Sequence, residues 1–521
     1  MKKDMNNKIL YLGALLLTLT FGSCRQDNDT LIPYDHNDVM AFNAATKSFA
    51  EQYKVFWNAM NQNYALWDYE AEQGLDWDAE YDKFLPQFAA LDAQDYVSDK
   101  ELQKLMNQMV APLHDGHLFV DFKNYHSKSY VRASPSDLRN ASRSDFLTDD
   151  EKVTRTRMLE GLYNVKRDDL LEWYLASTSL NNMFSHLGRN GITTKWINDE
   201  IARISNLTTP TEMEVNKLAA LYAFNAELKK IQDYSMNQFI AAYNQMVLKY
   251  AYLHIPGLNY VSPSFNVSGI SVTYALLKGN IAYLYLSGFE LTDYLEESSL
   301  DDLNLSGNDL EQAKRIKTAW KMWFDKIQEL HAAGTLGGVI IDLRCNGGGY
   351  TNDYQYVLGA LLPSGGFTPC QLRYKRGTAR LDYSPLMPQT MLTMKDEHAT
   401  ITEPIVLLGD CNSVSMSEIT LRSSSLLPNA HFIGKRTWGG LCGLNSNSTF
   451  SINYSGYIGV DGETPVYAYV PMLATFSMDG KQLEGIGIDP EIEVDLDKQR
   501  FNSGNGDTQL ERALQFIRTG N

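Results

Sequence analysis

Two short apolar runs constrain this chain more than any other feature of it. Gly338-Val-Ile-Ile-Asp-Leu343 and Pro404-Ile-Val-Leu-Leu-Gly409 are of strand length, and each passes at once into a turn rich in small residues. Unbroken apolar runs bounded by turn signals read as buried strands. The first leads into Arg344-Cys345-Asn346-Gly347-Gly348-Gly349. Three glycines after a strand let backbone N–H groups point freely at a ligand. A phosphate loop would end in Gly-Lys-Ser/Thr, which is absent, so an oxyanion hole is the better reading. The second run leads into Asn412-Ser-Val-Ser-Met-Ser-Glu-Ile-Thr420, with Ile419 to Leu427 as the start of a helix. Strand, tight turn, serine and helix present a nucleophile where free helix N–H groups favour developing negative charge. A serine before a helix also serves as a plain N-cap, so the reading of Ser415 depends on the rest of the chain.

The 521 residues are enough for two or three domains. A net charge of −17 without a basic cluster argues against a nucleic-acid partner. At the N-terminus Lys2 and Lys3 precede an apolar run from Ile9 to Phe21, then Gly22-Ser23-Cys24. A charged start, a short apolar run and small residues form a secretory signal. A cysteine directly after Gly-Ser resembles a bacterial lipobox, with Cys24 as the acylated first residue and residues 1–24 as its signal. The run is too short for a comfortable membrane span, and no later stretch is long and apolar enough for one. Asp27 and Asp29 resemble the surface-export signals of some lipoproteins. The expected location is therefore the bacterial cell envelope, lipid-anchored at the outer membrane on its periplasmic or surface face. Cys345, Cys370, Cys411 and Cys442 remain; they fit no zinc spacing, and four thiols allow three pairings between which sequence does not choose.

Residues 25–38 are polar and read as a tether. Residues 39–123 read as a small helical domain, with Phe49, Tyr53, Phe56 and Trp57 at helical spacing and Trp67, Trp77, Tyr81 and Phe84 as further core. It ends in Leu113-His114-Asp115-Gly116-His117, where a glycine turn delivers His117 to the mouth of a strand-like run. His114 and His117 lack a further cluster of ligand type, so no metal is expected, nor any other cofactor. Residues 124–265 read as a helical insertion, with capping boxes at Thr148–Glu151 and Thr209–Glu212 and an amphipathic segment from Leu218 to Tyr234. Residues 266–500 alternate strands and helices, including Ile281–Leu286, a helix from Asn308 or Asp309 to about His331, and His431–Ile433. Asp301–Asp309 is acidic, but twelve residues on from Asp302 stands Ala313 where a calcium loop needs glutamate. Residues 501–521 read as a C-terminal tail.

The motifs form an ordered set. Asp115-Gly-His117, Asn346-Gly-Gly-Gly349, Ser415-Met-Ser417-Glu418, Gly434 to Gly440 and Gly487-Ile-Asp-Pro490 resemble, in order, those of the serine peptidases that include the C-terminal processing proteases and the tricorn core protease. The resemblance implies a mixed α+β chain with a ClpP/crotonase-like α/β catalytic core. The N-terminal helical domain and helical insertion accompany that core, and no PDZ pattern is evident. In the processing-protease branch the general base is a lysine, and the matching position here is Gly440; Lys435 aligns elsewhere. The tricorn-like branch uses a histidine matching His117 and a glutamate matching Glu484. Its serine before the histidine is replaced here by Gly116, with Asp115 available to hold the turn. The implied scheme has Ser415 attack a peptide carbonyl, His117 move the proton, Glu484 orient the imidazole, and the N–H groups of Gly349 and Met416 bind the oxyanion. The expected function is thus an exported serine endopeptidase acting through an acyl-enzyme on peptide or protein substrates. The alternative is a catalytically inactive member that binds peptides or apolar ligands in the envelope, since the fold also serves non-catalytic roles.

Overall fold

A computed structural model describes residues 42–143, 146–148, 151–152, 201–210, 212–230, 265–267, 270–296, 308–377, 379–443, 456–502 and 506–521. The signal, Cys24, the tether and the acidic loop at 301–307 lie outside these residues, as does most of the helical stretch. Among the described residues no helix is long and apolar enough to cross a membrane. In chain order the strands are β1 (Phe119–Lys123), β2 (Tyr130–Ala133), β3 (Phe265–Val267), β4 (Ile270–Leu277), β5 (Ile281–Leu286), β6 (Gly338–Asp342) and β7 (Phe367–Tyr374). They continue with β8 (Met387–Met391), β9 (Ile405–Gly409), β10 (Ala430–Gly434), β11 (Tyr457–Ile458), β12 (Val466–Tyr469), β13 (Leu473–Phe476) and β14 (Ile492–Glu493). The chain divides into two compact units.

Unit 1 takes the chain up to Leu138 together with Tyr374–Pro385 and Gly443–Leu473. Its helices are Phe49–Asn63, Trp67–Glu72, Trp77–Asp92 and Asp99–Val110. Three of them start where the local chemistry requires: Ser48, Asp76 and Ser98 accept hydrogen bonds from the first free N–H groups. The aromatics expected in the core are there, with Tyr53, Phe56, Trp57, Trp67, Trp77 and Phe84 all buried. They pack on one face of a four-stranded antiparallel sheet of order β11-β12-β1-β2; Phe122 meets Phe56 and Phe88 with ring centroids 6.3 and 5.7 Å apart. Two expectations change here. The stretch from Tyr125, read as helical, begins with β2, a strand that the alternation Tyr130-Val-Arg-Ala133 permits and β1 pairs. The segments Tyr374–Pro385 and Gly443–Leu473, expected within the C-terminal core, belong to unit 1. β12 pairs with β1, and Arg380 binds Asn61 at 2.8 Å and Asp78 at 2.6 Å.

Unit 2 contains Arg139–Arg373, Leu386–Cys442 and Ala474–Asn521. Its main sheet has the order β14-β10-β9-β6-β5-β4-β3. From β5 to β14 the strands are parallel, and β4 and β3 add an antiparallel edge. β5, β6 and β9 are buried at every residue, which is why they are apolar without alternation. One face (Ala282, Leu284, Val339, Ile341, Leu407) packs with Ile316, Trp323 and Ile327 of the helix Asn308–Ala332. The other (Tyr283, Ile340, Val406, Leu408) meets Leu510, Ala513 and Leu514 of the helix Thr508–Thr519. A small sheet of order β13-β7-β8 completes most of the rest. In the stretch read as a helical insertion, the capping box at Thr148 is formed, with Glu151 Oε2 accepting from the Thr148 N–H at 2.8 Å. The helix Glu212–Lys230 follows.

The end of β6 is tied to the C-terminal helix by a fully buried guanidinium. Arg344 donates to Asp342 at 2.5 and 2.9 Å and to both carboxylate oxygens of Asp507 at 2.8 Å. Asp507 also caps the helix through the N–H groups of Gln509 and Leu510. Removing one partner of a buried pair leaves uncompensated charge. Arg344→Ala is therefore expected to cost about 3–5 kcal/mol of stability; urea unfolding followed by circular dichroism measures it, and a loss under 1 kcal/mol, the usual value of a surface pair, would refute the clamp.

Candidate active site

β6 and β9 are adjacent and parallel, with Asp342 opposite Leu408, so the turns that follow them emerge at one edge of the sheet. Ligands of open α/β sheets bind at such carboxyl ends. The two turns are sewn together through Asn346. Its Nδ2 donates to Leu286 O at the end of β5 (2.7 Å), and its Oδ1 accepts from the Gly348 N–H (2.8 Å) and the Ser417 hydroxyl (2.6 Å). Its carbonyl accepts the N–H of Val414 at 2.9 Å. The Ser413 hydroxyl donates to Leu343 O at 2.8 Å, and Asp410 Oδ1 accepts the Cys345 N–H at 3.1 Å.

Ser415 stands at the start of the helix Met416–Ser423 with φ 59° and ψ −118°. A non-glycine residue held there costs roughly 1–3 kcal/mol and persists only where its surroundings impose it. They do so closely. The Ser415 N–H lies 2.9 Å from Gly440 O and 3.1 Å from Glu418 Oε2. Gly348 backs onto it: a Cβ at Gly348 would lie 2.6 Å from the Ser415 Cβ and 2.9 Å from the Met416 nitrogen. Gly349, at φ 138°, lies against Phe289, where a Cβ would sit 2.2 Å from the carbonyl oxygen. Among the described residues neither the Gly349 nor the Met416 N–H forms a hydrogen bond, whereas that of Gly348 is taken by Asn346.

Glu418 is fully buried. Its carboxylate accepts from the Gly440 N–H (2.7 Å), the Gly439 N–H (2.8 Å) and the Thr437 hydroxyl (2.5 Å), besides Ser415. Burial pushes its pKa up to about 7 against the opposing pull of these donors. Glu484 is likewise buried and accepts the N–H groups of Leu441 and, at 2.5 Å, of Cys442. The Gly485 N–H binds Gly439 O at 2.7 Å. Unit 2 thus brings Ser415, Gly349, Met416 and Glu484 onto one hydrogen-bonded frame. Sequence reasoning had Asn346, Glu418, Thr437 and Trp438 within its motifs but gave none of them a role of its own. Trp438 donates to Asn140 at 2.7 Å and lies 4.4 Å from the Arg139 guanidinium, so the first residues of the insertion pack on this frame.

His117 is carried by unit 1, two residues before β1. Asp115 Oδ1 accepts the N–H groups of His117 and Leu118, each at 2.6 Å, and so holds the turn that the glycine opens. The Tyr469 ring lies edge-on to the imidazole, centroids 6.2 Å apart. Among the described residues the buried His117 Nδ1 and Asp115 Oδ2 have no hydrogen-bond partner. Burial lowers the His117 pKa to about 4 and raises that of Asp115 to about 7; the imidazole is neutral at neutral pH rather than near its midpoint. His114 is engaged elsewhere, its Nδ1 2.7 Å from Glu70. Lys435 is held by Glu493 at 2.6 Å and Asp495 at 2.8 Å, and these carboxylates raise its pKa. A base must be deprotonated to act, so Lys435 is unsuited to that role. Among the described residues Cys370, Cys411 and Cys442 are buried and Cys345 is half-buried.

Residues 280–494 match the profile of peptidase family S41. Over these residues the chain is similar to the serine-type peptidases of that family. It is 28% identical over 186 residues to the tricorn protease of Thermoplasma volcanium, a match covering 34% of this chain and 14% of that protein's length. Among solved structures it is similar to a candidate peptidase from Parabacteroides merdae (15% identity, 91% of this chain and 97% of that one, TM-score 0.46). Mature CPAF is similar over 92% of this chain and 98% of its own, at 10% identity and a TM-score of 0.44.

The contact of Gly348 with Ser415 gives a direct test of the frame. Gly348→Ala places a Cβ inside contact distance at φ 91° and should displace the Ser415 turn, with hydrolysis falling about 100-fold; unchanged turnover of a peptide substrate would show that the loop does not set the serine.

Proposed function

We propose that this chain is a serine endopeptidase in which Ser415 is the nucleophile, His117 the general base and Glu484 the carboxylate that orients the base. The observation that carries the reading is the backbone of Ser415: a left-handed residue at the carboxyl edge of a parallel sheet, flanked by the uncommitted N–H groups of Gly349 and Met416. In this reading the Ser415 oxygen attacks the scissile carbonyl as its proton passes to neutral His117. The two N–H groups stabilise the oxyanion, each by about 3 kcal/mol when aligned. Collapse expels the amine, which takes the proton from His117. Water then releases the acyl group by the same route in reverse. A base with a depressed pKa gains a proton only if the resulting cation is stabilised, which is the work assigned to Glu484. The core that carries these turns is read as ClpP/crotonase-like. Substrates are peptides or proteins. Among the described residues Lys435 is committed to acidic partners, which favours the histidine scheme over the lysine scheme.

A fluorophosphonate probe applied to the purified mature protein is expected to mark Ser415. Ser415→Ala and His117→Ala should each remove the mark and lower kcat by at least about 1,000-fold. Full peptidase activity in either variant would sink the assignment. We further propose that the mature chain is held at the bacterial envelope by acylation of Cys24. Wild-type protein should sediment with membranes and Cys24→Ala should not be acylated; a soluble, unmodified wild-type protein would refute the anchor.

A further inference from the structure

Glu418 is not needed as nucleophile, base or oxyanion donor, yet it is the buried carboxylate closest in sequence to Ser415 and makes four contacts in the frame. We infer that Glu418, with Thr437 as its relay, is the positioning residue that sets Ser415 for attack and couples it to the segment bearing Glu484; the inference rests on the hydrolase reading above.

The argument is one of acceptor geometry. Both carboxylate oxygens face donors: Oε2 faces the N–H groups of Ser415 and Gly440, and Oε1 faces the Gly439 N–H and the Thr437 hydroxyl. Only an acceptor with two oxygens satisfies this set. An amide must present an NH₂ to one of the two pairs, donor against donor. The Gly440 N–H is fixed by Glu418 while the Gly440 carbonyl receives the Ser415 N–H, so one carboxylate braces the serine from both ends of the same peptide turn. Thr437 carries the brace onward. Its hydroxyl accepts the Ile488 N–H at 2.7 Å, and its own N–H donates to Ile488 O at 3.1 Å. Gly439 O takes the Gly485 N–H. Hydrogen bonds through Glu418 and the Thr437–Gly439 segment therefore connect Ser415 to Gly485 and Ile488, which follow Glu484. The ordinary task of a glutamate at this helix position is the return half of a capping box. That task needs one oxygen, and it leaves the other three donors unexplained.

The test uses the full mature chain. Glu418→Gln preserves volume and removes the second acceptor. It is expected to lower kcat and the rate of fluorophosphonate labelling at Ser415 by about 100-fold, with KM within about twofold because substrate contacts are untouched. Thr437→Val should lower the same rates about 10-fold, and Thr437→Ser, which restores the hydroxyl, should return them to the wild-type value. Folded Glu418→Gln protein that labels at the wild-type rate overturns the inference. So does equality of the Thr437→Val and Thr437→Ser rates, a comparison that stands even if Glu418→Gln does not fold. A wild-type protein that neither labels nor cleaves overturns the hydrolase reading first, and this inference with it.

Discussion

The Asn346 side chain sits where three strand ends and the Ser415 turn must agree. A buried primary amide has to place both its oxygen and its nitrogen against partners or lose the desolvation cost of each. Here the nitrogen finds the end of β5, and the oxygen finds the glycine loop and Ser417. Those contacts exist only if β5, β6 and β9 are parallel and in register, so the shape of the turn depends on the assembled core. The strain at Ser415 follows from the same arrangement. Its left-handed backbone is imposed by a frame packed tightly enough to leave no room for a Cβ at Gly348.

Buried acids recur in both units with different work to do. Arg344 neutralises Asp342 and Asp507 in the interior, a pairing that fixes where the C-terminal helix docks. Glu418 and Glu484 accept from backbone N–H groups. Asp115 does the same for the turn before β1, where its Oδ1 caps two N–H groups. Carboxylates used in this way hold irregular backbone without requiring regular secondary structure.

Much of the fold was legible from periodicity. The runs Ile281–Leu286, Gly338–Leu343 and Pro404–Gly409 became β5, β6 and β9 within a residue, because burial on both faces removes polar residues from a strand entirely. The helices at Phe49–Asn63 and Asn308–Ala332 were legible from spacing and caps. β2 was not, since four residues with one exposed arginine carry little periodicity next to a long helical stretch. Nor was the recruitment of Tyr374–Pro385 and Gly443–Leu473 to unit 1, because pairing between β1 and β12 joins residues more than 340 positions apart and no local pattern records a partner at that distance.

What the sequence alone determined is the inventory: a buried parallel core, a glycine loop and a serine turn after two of its strands, a histidine well before that core and a glutamate near its end. These are properties of local runs and of motif order, and they survive without coordinates. What only the tertiary structure decided is how each group is held. It showed that Gly348 spends its N–H on Asn346 while Gly349 does not, that Lys435 is neutralised by Glu493 and Asp495, that burial takes His117 well below its ordinary pKa, and that Glu418 faces four donors. Each of these depends on which atoms distant in sequence come within about 3 Å, and a linear chain carries no record of such distances until it has folded.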